Sequence, residues 1–129
     1  MFIEGIHHVA IICSDYDKSK HFYTKILGFK VIEETYREER QSYKLDIALP
    51  NGDQIELFSF PDNPERPDSP EARGLRHLAF VVASVQDAAN SLRSHGIDVE
   101  AIRVDELTNK HYTFFKDPDG LPLELYEKS

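Results

Sequence analysis

The sequence predicts an α+β fold made of two βαβββ modules, and three observations carry that prediction. The chain repeats itself: LPNGDQIELF lies 68 residues before DPDGLPLELY, and with one residue of drift HHVAII finds RHLAFV, an internal period that constrains architecture before any single element is assigned. Each half has one amphipathic helical pattern and several β-rich runs. Each half also closes on a turn dipeptide, Asn51–Gly52 or Asp119–Gly120, followed by a strand with a glutamate between apolar neighbours. Residues 1–129 then form a single domain, with module 1 at about 4–60, a linker at 61–73 and module 2 at about 74–127, the strands building a curved mixed sheet.

The elements follow in order. IHHVAIIC is a β-branched run, answered in the second half by GLRHLAFVV. Ser14 or Asp15 can cap a helix whose apolar stripe is Phe22, Tyr23, Ile26 and Leu27, ended by Gly28; Ser84 with Asp87 resembles a capping box before Val85, Ala88, Ala89 and Leu92, ended by Gly96. FKVIEETY, SYKLDIAL and DQIELFSF complete the first module, and IDVEAIRV, KHYTFFKD and LPLELYE the second. The stretch PDNPERPDSPEARG between them has four prolines and many charges, which exclude a ladder or helix interior.

Composition narrows the function classes. A net charge of −8 argues against nucleic acid as a partner, because phosphate binding needs a basic face. The lone Cys13 excludes an internal disulfide framework and, within VAIIC, reads as a small buried hydrophobe. MFIEGIHH has no basic n-region, and no apolar run approaches the ~20 residues that span a bilayer. A cytoplasmic protein without a membrane partner is the expectation. No GxGxxG, GxxxxGK[ST] or nucleophile elbow points to a nucleotide cofactor or serine chemistry.

The repeat selects four residues. His8 aligns with His77, whereas His7 aligns with Arg76, which stays protonated and makes no ordinary metal ligand. Side chains alternate across a strand, so His7 and His8 are expected on opposite faces, and Glu56 and Glu124 opposite the leucines beside them. One strand histidine or glutamate alone reads as hydrogen-bonded or solvated structure. Recurrence of both in duplicated units favours a site. His8 with Glu56 and His77 with Glu124 supply two nitrogens and two oxygens, a set suited to a divalent transition ion with open positions: Zn, Ni, Mn, Co or Fe(II). His21, His95 and His111 have no partner in the repeat and read as surface residues. Arg37, Arg40, Arg66, Arg73 and Lys110 read first as solvated cations, with anion anchoring as the alternative.

Taken together, HHVAII, FYTKILGF, QIELF, RHLAFVV and DPDGLPLELYE resemble the vicinal oxygen chelate superfamily of glyoxalases, bleomycin resistance proteins and dioxygenases, over nearly the whole chain. The resemblance implies paired modules forming a cup-shaped sheet around a metal, zinc or nickel ahead of manganese, cobalt or iron, often in a homodimer whose sites some members build from both subunits. His8, Glu56, His77 and Glu124 match the metal ligands of glyoxalase I. That match implies a metal-dependent lyase or isomerase of the lactoylglutathione lyase type, acting on a small-molecule substrate through a metal-stabilised enediolate, with Glu124 as base and Glu56 able to act from the opposite face. Glutathione-using glyoxalases carry an arginine and an asparagine where this chain has Ile12 and Phe60. Neither can hold the γ-glutamyl carboxylate, so glutathione is not the expected substrate. Ile12, Phe58, Phe60 and Tyr126 are expected to line an apolar wall of the substrate pocket. The alternatives are a metal or small-ligand binding or resistance protein without chemistry, and an Fe(II) dioxygenase, against which the fourth ligand Glu56 counts.

Overall fold

The computed structural model describes all 129 residues, in the order β1 (His8–Cys13), α1 (Tyr16–His21), β2 (Lys30–Arg37), β3 (Ser42–Ala48), β4 (Gln54–Ser59), β5 (Leu78–Val82), α2 (Val85–Ser94), β6 (Arg103–Val104), β7 (His111–Lys116) and β8 (Pro122–Glu127). The chain divides into two units, Met1–Pro64 and Glu65–Ser129. Each unit holds one four-stranded mixed sheet, β1-β4-β3-β2 in the first and β5-β8-β7-β6 in the second. In both, the first and last strands of the unit pair parallel and the others antiparallel. This is the α+β fold of two βαβββ modules that the repeat predicts.

In the first unit the register sorts side chains by parity. Leu57 on β4 lies opposite Ile11 on β1 and Leu45 on β3, and all three are buried with Cys13, Ile47 and Ile55. Each such aliphatic side chain removes enough apolar surface from water to contribute about 2 kcal/mol. Glu56, one residue away, faces the other side with Ala10 and Asp46 as its cross-strand partners. The Cys13 thiol is enclosed and donates to the Phe58 carbonyl at 3.3 Å, in keeping with a core role.

The helix departs from the expected continuous stripe. Asp15 caps α1 by accepting from the Lys18 amide at 3.2 Å, but after His21 the chain widens into a π-helical turn over Phe22–Ile26, closed by the Leu27 amide donating to the Phe22 carbonyl at 2.9 Å. Phe22 and Tyr23 are both buried, while Ile26 and Leu27 are only half-buried. On the helix side Tyr16 donates to Glu34 at 2.5 Å and Lys20 Nζ reaches the same carboxylate at 2.8 Å, tying α1 to β2. These two bonds, the lysine's first, hold Glu34 below the usual carboxylate range; burial, then the bond to Glu34, pushes the Tyr16 phenol up.

The second unit repeats the scheme with Ser84 capping α2 through the Asp87 amide at 3.1 Å and Val85, Ala89 and Leu92 buried. Its weak point is β6. The run IDVEAIRV forms only the two-residue strand Arg103–Val104 and an isolated bridge from Val99 to Phe115. Side chains take the carbonyls that a longer strand would offer to a ladder: Arg93 donates to the carbonyls of Val99 and Glu100, and the buried Thr113 hydroxyl to that of Glu100.

The two turns share one geometry. The Leu49 amide donates to the Asp53 carbonyl and the Gly52 amide to the Leu49 carbonyl; Asp117, Leu121 and Gly120 repeat both bonds. The loops are therefore the three-residue Pro50–Asn51–Gly52 and Pro118–Asp119–Gly120, with proline opening the turn and glycine in the left-handed region at φ 94° and 84°. In the second, Asp117 is buried, and its Oδ1 accepts from the Asp119 and Leu121 amides, both at 2.9 Å.

Candidate functional site

Each unit brings one imidazole against one carboxylate. His8 at the start of β1 places Nε2 3.4 Å from Glu56 Oε2, and His77, just before β5, places Nε2 3.1 Å from Glu124 Oε1. The carboxylates are equally sheltered, with 13 % of each side chain exposed, and the imidazoles are more open at 36 % and 26 %. No group of three or more His, Cys, Asp or Glu side chains is gathered within either unit.

The spacing can be tested against a metal. Donors about 2.1 Å from one ion at tetrahedral or octahedral angles stand roughly 3.0–3.4 Å apart. Both His–Glu separations fall in that interval, so each pair fits two adjacent ligands of one divalent cation. His7 also bears on the first pair. It lies outside β1, so strand alternation does not send it to the opposite face as expected, and its Nδ1 stands 2.9 Å from His8 Nδ1. A His8 Nδ1–H donating there would leave His8 Nε2 with the free lone pair that a cation needs. In the second unit Arg76 Nη1 stands 3.4 Å from His77 Nδ1 and Arg76 is paired with Glu71.

The surroundings of the two carboxylates differ. Opposite Glu56 stands Asp46, and Lys44 reaches both, with Nζ 3.1 Å from Asp46 Oδ1 and 3.9 Å from Glu56 Oε2. At the corresponding places opposite Glu124 and Tyr126 stand Phe114 and Tyr112. Phe114 meets the His77 ring edge-on at 5.0 Å, and Tyr112 stacks on Tyr126 at 6.3 Å. Glu56 is thus shared with a lysine, and Glu124 sits among aromatic rings. Sequence reasoning missed Lys44 and Asp46, although their alternation with Leu45 and Ile47 in YKLDIAL signals the same face.

The expected pocket residues lie as follows. Ile12 pairs with Phe58 across β1 and β4 and is about half exposed. Phe60 follows β4 and stacks on Phe58 with centroids 6.0 Å apart. Tyr126 donates to Asp105 Oδ2 at 2.9 Å and shares a hydrogen bond with Thr108. The Leu107 amide, then the Tyr126 hydroxyl, holds the Asp105 carboxyl below its usual range. Of the histidines outside the repeat, His95 meets the Ser91 carbonyl at 2.9 Å, His111 meets Glu127 at 2.9 Å, and all three, His21 included, are exposed. No helix is long and apolar enough to cross a membrane.

Two βαβββ units, each setting a histidine beside a glutamate at its parallel strand pair, define the class of protein. The chain belongs to the Glyoxalase/Bleomycin resistance protein/Dioxygenase superfamily, whose model matches residues 5–125. It is similar to the Bacillus subtilis protein YwkD, with 63 % identity covering 99 % of this chain and all of that one. The structure of a glyoxalase family protein from Enterococcus faecalis superposes with a TM-score of 0.91 at 49 % identity, covering 98 % of this chain and 100 % of that one. The Arabidopsis thaliana protein named Glyoxylase I 4 is 31 % identical, over 97 % of this chain and 71 % of its own length.

Proposed function

We propose that the protein is a divalent-metal-dependent lyase or isomerase of the glyoxalase I type, in which His8, Glu56, His77 and Glu124 hold the ion and Glu124 moves a proton. The observation that carries the reading is the matched pair of His Nε2 to Glu carboxylate distances, 3.4 and 3.1 Å, at equivalent places in two repeated units. The similarity to a protein named Glyoxylase I 4 supports it. Zinc or nickel suits two imidazoles and two carboxylates, and manganese, cobalt and iron accept the same donors. A bound ion supplies Lewis-acid stabilisation of negative charge on the substrate's oxygens.

The chain's own residues do the rest. Glu124 removes the proton from the carbon beside a carbonyl, giving an enediolate, and returns it to the neighbouring carbon. Its neighbours are aromatic rings and no lysine competes for its lone pairs, whereas Glu56 is shared with Lys44. Ile12, Phe58, Phe60 and Tyr126 form the apolar wall against which a small α-hydroxycarbonyl substrate packs. Ile12 and Phe60 offer no donor to a γ-glutamyl carboxylate, which counts against a glutathione adduct as the substrate. The proposed assembly is a homodimer.

The test measures bound metal and solvent deuterium uptake at the α-carbon of a panel of small α-hydroxy ketones and aldehydes. Wild-type protein is expected to hold a divalent ion and catalyse exchange; Glu124→Gln keeps substantial metal and loses exchange. A wild-type protein that binds no divalent ion, or a variant with undiminished exchange, overturns the proposal.

A further inference from the structure

Of the seven arginines, Arg37, Arg40, Arg73 and Arg93 form no ion pair, and of these four Arg37 and Arg40 are the two that lie over aromatic rings. Arg66, Arg76 and Arg103 each pair with a carboxylate. Arg37 and Arg40 pair with none, in a chain of net charge −8, and Glu38 and Glu39 between them form no ion pair with either. Arg37 ends β2 and Arg40 ends the 3-10 turn that follows, so the β2–β3 turn sets both beside the sheet. The Arg37 guanidinium lies 5.0 Å from the Phe58 ring centroid and 5.9 Å from that of Phe60, and Arg40 lies 5.1 Å from Phe60. The two rings are nearly coplanar in orientation, 6° apart, and make a platform under both cations.

Arg37 is the better fixed of the two. Its Nη2 donates to the buried Ser42 hydroxyl at 3.1 Å, which sets the plane of the fork, and its Nε is enclosed with no acceptor. A donor left unsatisfied in this way is uncommon in a folded chain. The second unit supplies the contrast: Arg103 rides over Tyr112 and Phe114 in the same manner, but Glu100 neutralises it. In the first unit the cations are held in place by rings and a hydroxyl and left uncompensated in charge. Phe58 shares a strand face with Glu56 and lies two residues beyond it, roughly 7 Å along β4.

We infer that Arg37 and Arg40, held over the Phe58–Phe60 platform, form an anion subsite that receives the carboxylate or phosphoryl end of the substrate while its carbonyl end lies toward Glu56. The inference rests on the proposed function for the identity of that ligand as substrate, but the subsite itself requires no metal. Guanidinium forks bind both kinds of oxyanion bidentately, which gives orientation as well as affinity. An apolar wall alone would hold such a substrate without a preferred direction.

The experiment titrates metal-free, full-length protein with inorganic phosphate and, separately, with acetate, following backbone amide shifts by NMR. Saturable shifts are expected at residues 37–44 and 58–60. Arg40→Gln, at an exposed position, should weaken binding at least tenfold, and Arg37→Gln should abolish it. Arg76→Gln should bind like wild type. The stronger of the two probes assigns the class, phosphoryl or carboxylate. No saturable shift with either probe, or binding unchanged in Arg40→Gln, overturns the inference even if Arg37→Gln fails to fold. Binding that survives in a protein inactive with every metal would sink the isomerase reading and leave the subsite standing.

Discussion

Adjacent residues on β4 should respond to mutation in opposite ways, and the size of the contrast can be worked out from the structure. Leu57→Ala removes three carbons from a side chain with no exposure, which at about 0.8 kcal/mol per buried methylene loses about 2.4 kcal/mol of transfer free energy. Ile11 and Leu45 flank the space from strands on either side, and since both are held by their own ladders the cavity collapses only in part. The total loss should reach about 3–4 kcal/mol. Glu56→Gln keeps the volume and the neutral hydrogen-bonding capacity, and should change stability by less than about 1 kcal/mol. Urea denaturation of both variants without metal reads the difference as a shift in midpoint at unchanged slope. Metal titration then reads the other half: the folded fraction of Leu57→Ala binds the ion as wild type does, and Glu56→Gln binds it more weakly. Equal losses of stability, or a larger loss for the glutamate, would refute the two-faced strand on which the site is built.

Asp117→Ala removes two charge-assisted bonds between the buried Asp117 carboxylate and half-buried amides of the β7–β8 turn and should cost about 2–3 kcal/mol in thermal or urea denaturation; Asp117→Asn, which keeps an acceptor, should cost clearly less. The Lys20 and Tyr16 bonds to Glu34 depress its folded-state pKa, so their stabilisation is fully present above the ordinary carboxylate value near 4.5 and is lost as pH falls through the lower folded-state value. The stability gap between wild type and Glu34→Gln should accordingly close on acidification, as read by denaturant midpoints across that range; a gap that widens there would contradict the sign. Lys44→Gln removes a cation 3.9 Å from Glu56 and should raise divalent-ion affinity by roughly three- to tenfold in competition with a chromophoric chelator. A fall in affinity would mean that Lys44 instead holds the ligand carboxylate in place.

The modules were legible in the sequence because duplication places matching residues at a fixed offset, and the parity of a strand then assigns each to a face. Glu56 against Leu57 and Glu124 against Leu125 follow from that alone. What was not legible depends on competition for backbone groups or on neighbours distant in sequence. The π-helical turn after α1 leaves no periodic mark in KHFYTKIL. The shortening of β6 reflects Arg93 and Thr113 capturing carbonyls that periodicity assigns to a ladder. His7 escapes strand alternation because β1 starts one residue later. The arginine platform joins positions 37, 40, 58 and 60, which the β2–β3 turn and the β3–β4 pairing bring together and no local pattern announces.

The loops at Pro50–Gly52 and Pro118–Gly120 have one further consequence. Both span three residues and close with the same pair of backbone bonds, so both deliver the next strand in the same phase. A strand shifted by a single position exchanges its two sides wholesale; one inserted or deleted amino acid in either loop would turn the acid inward among the aliphatics and push a leucine out to where ligands approach. The connector between the modules can lengthen or shrink without that penalty, so natural variation in this chain should collect there and spare the two short reversals.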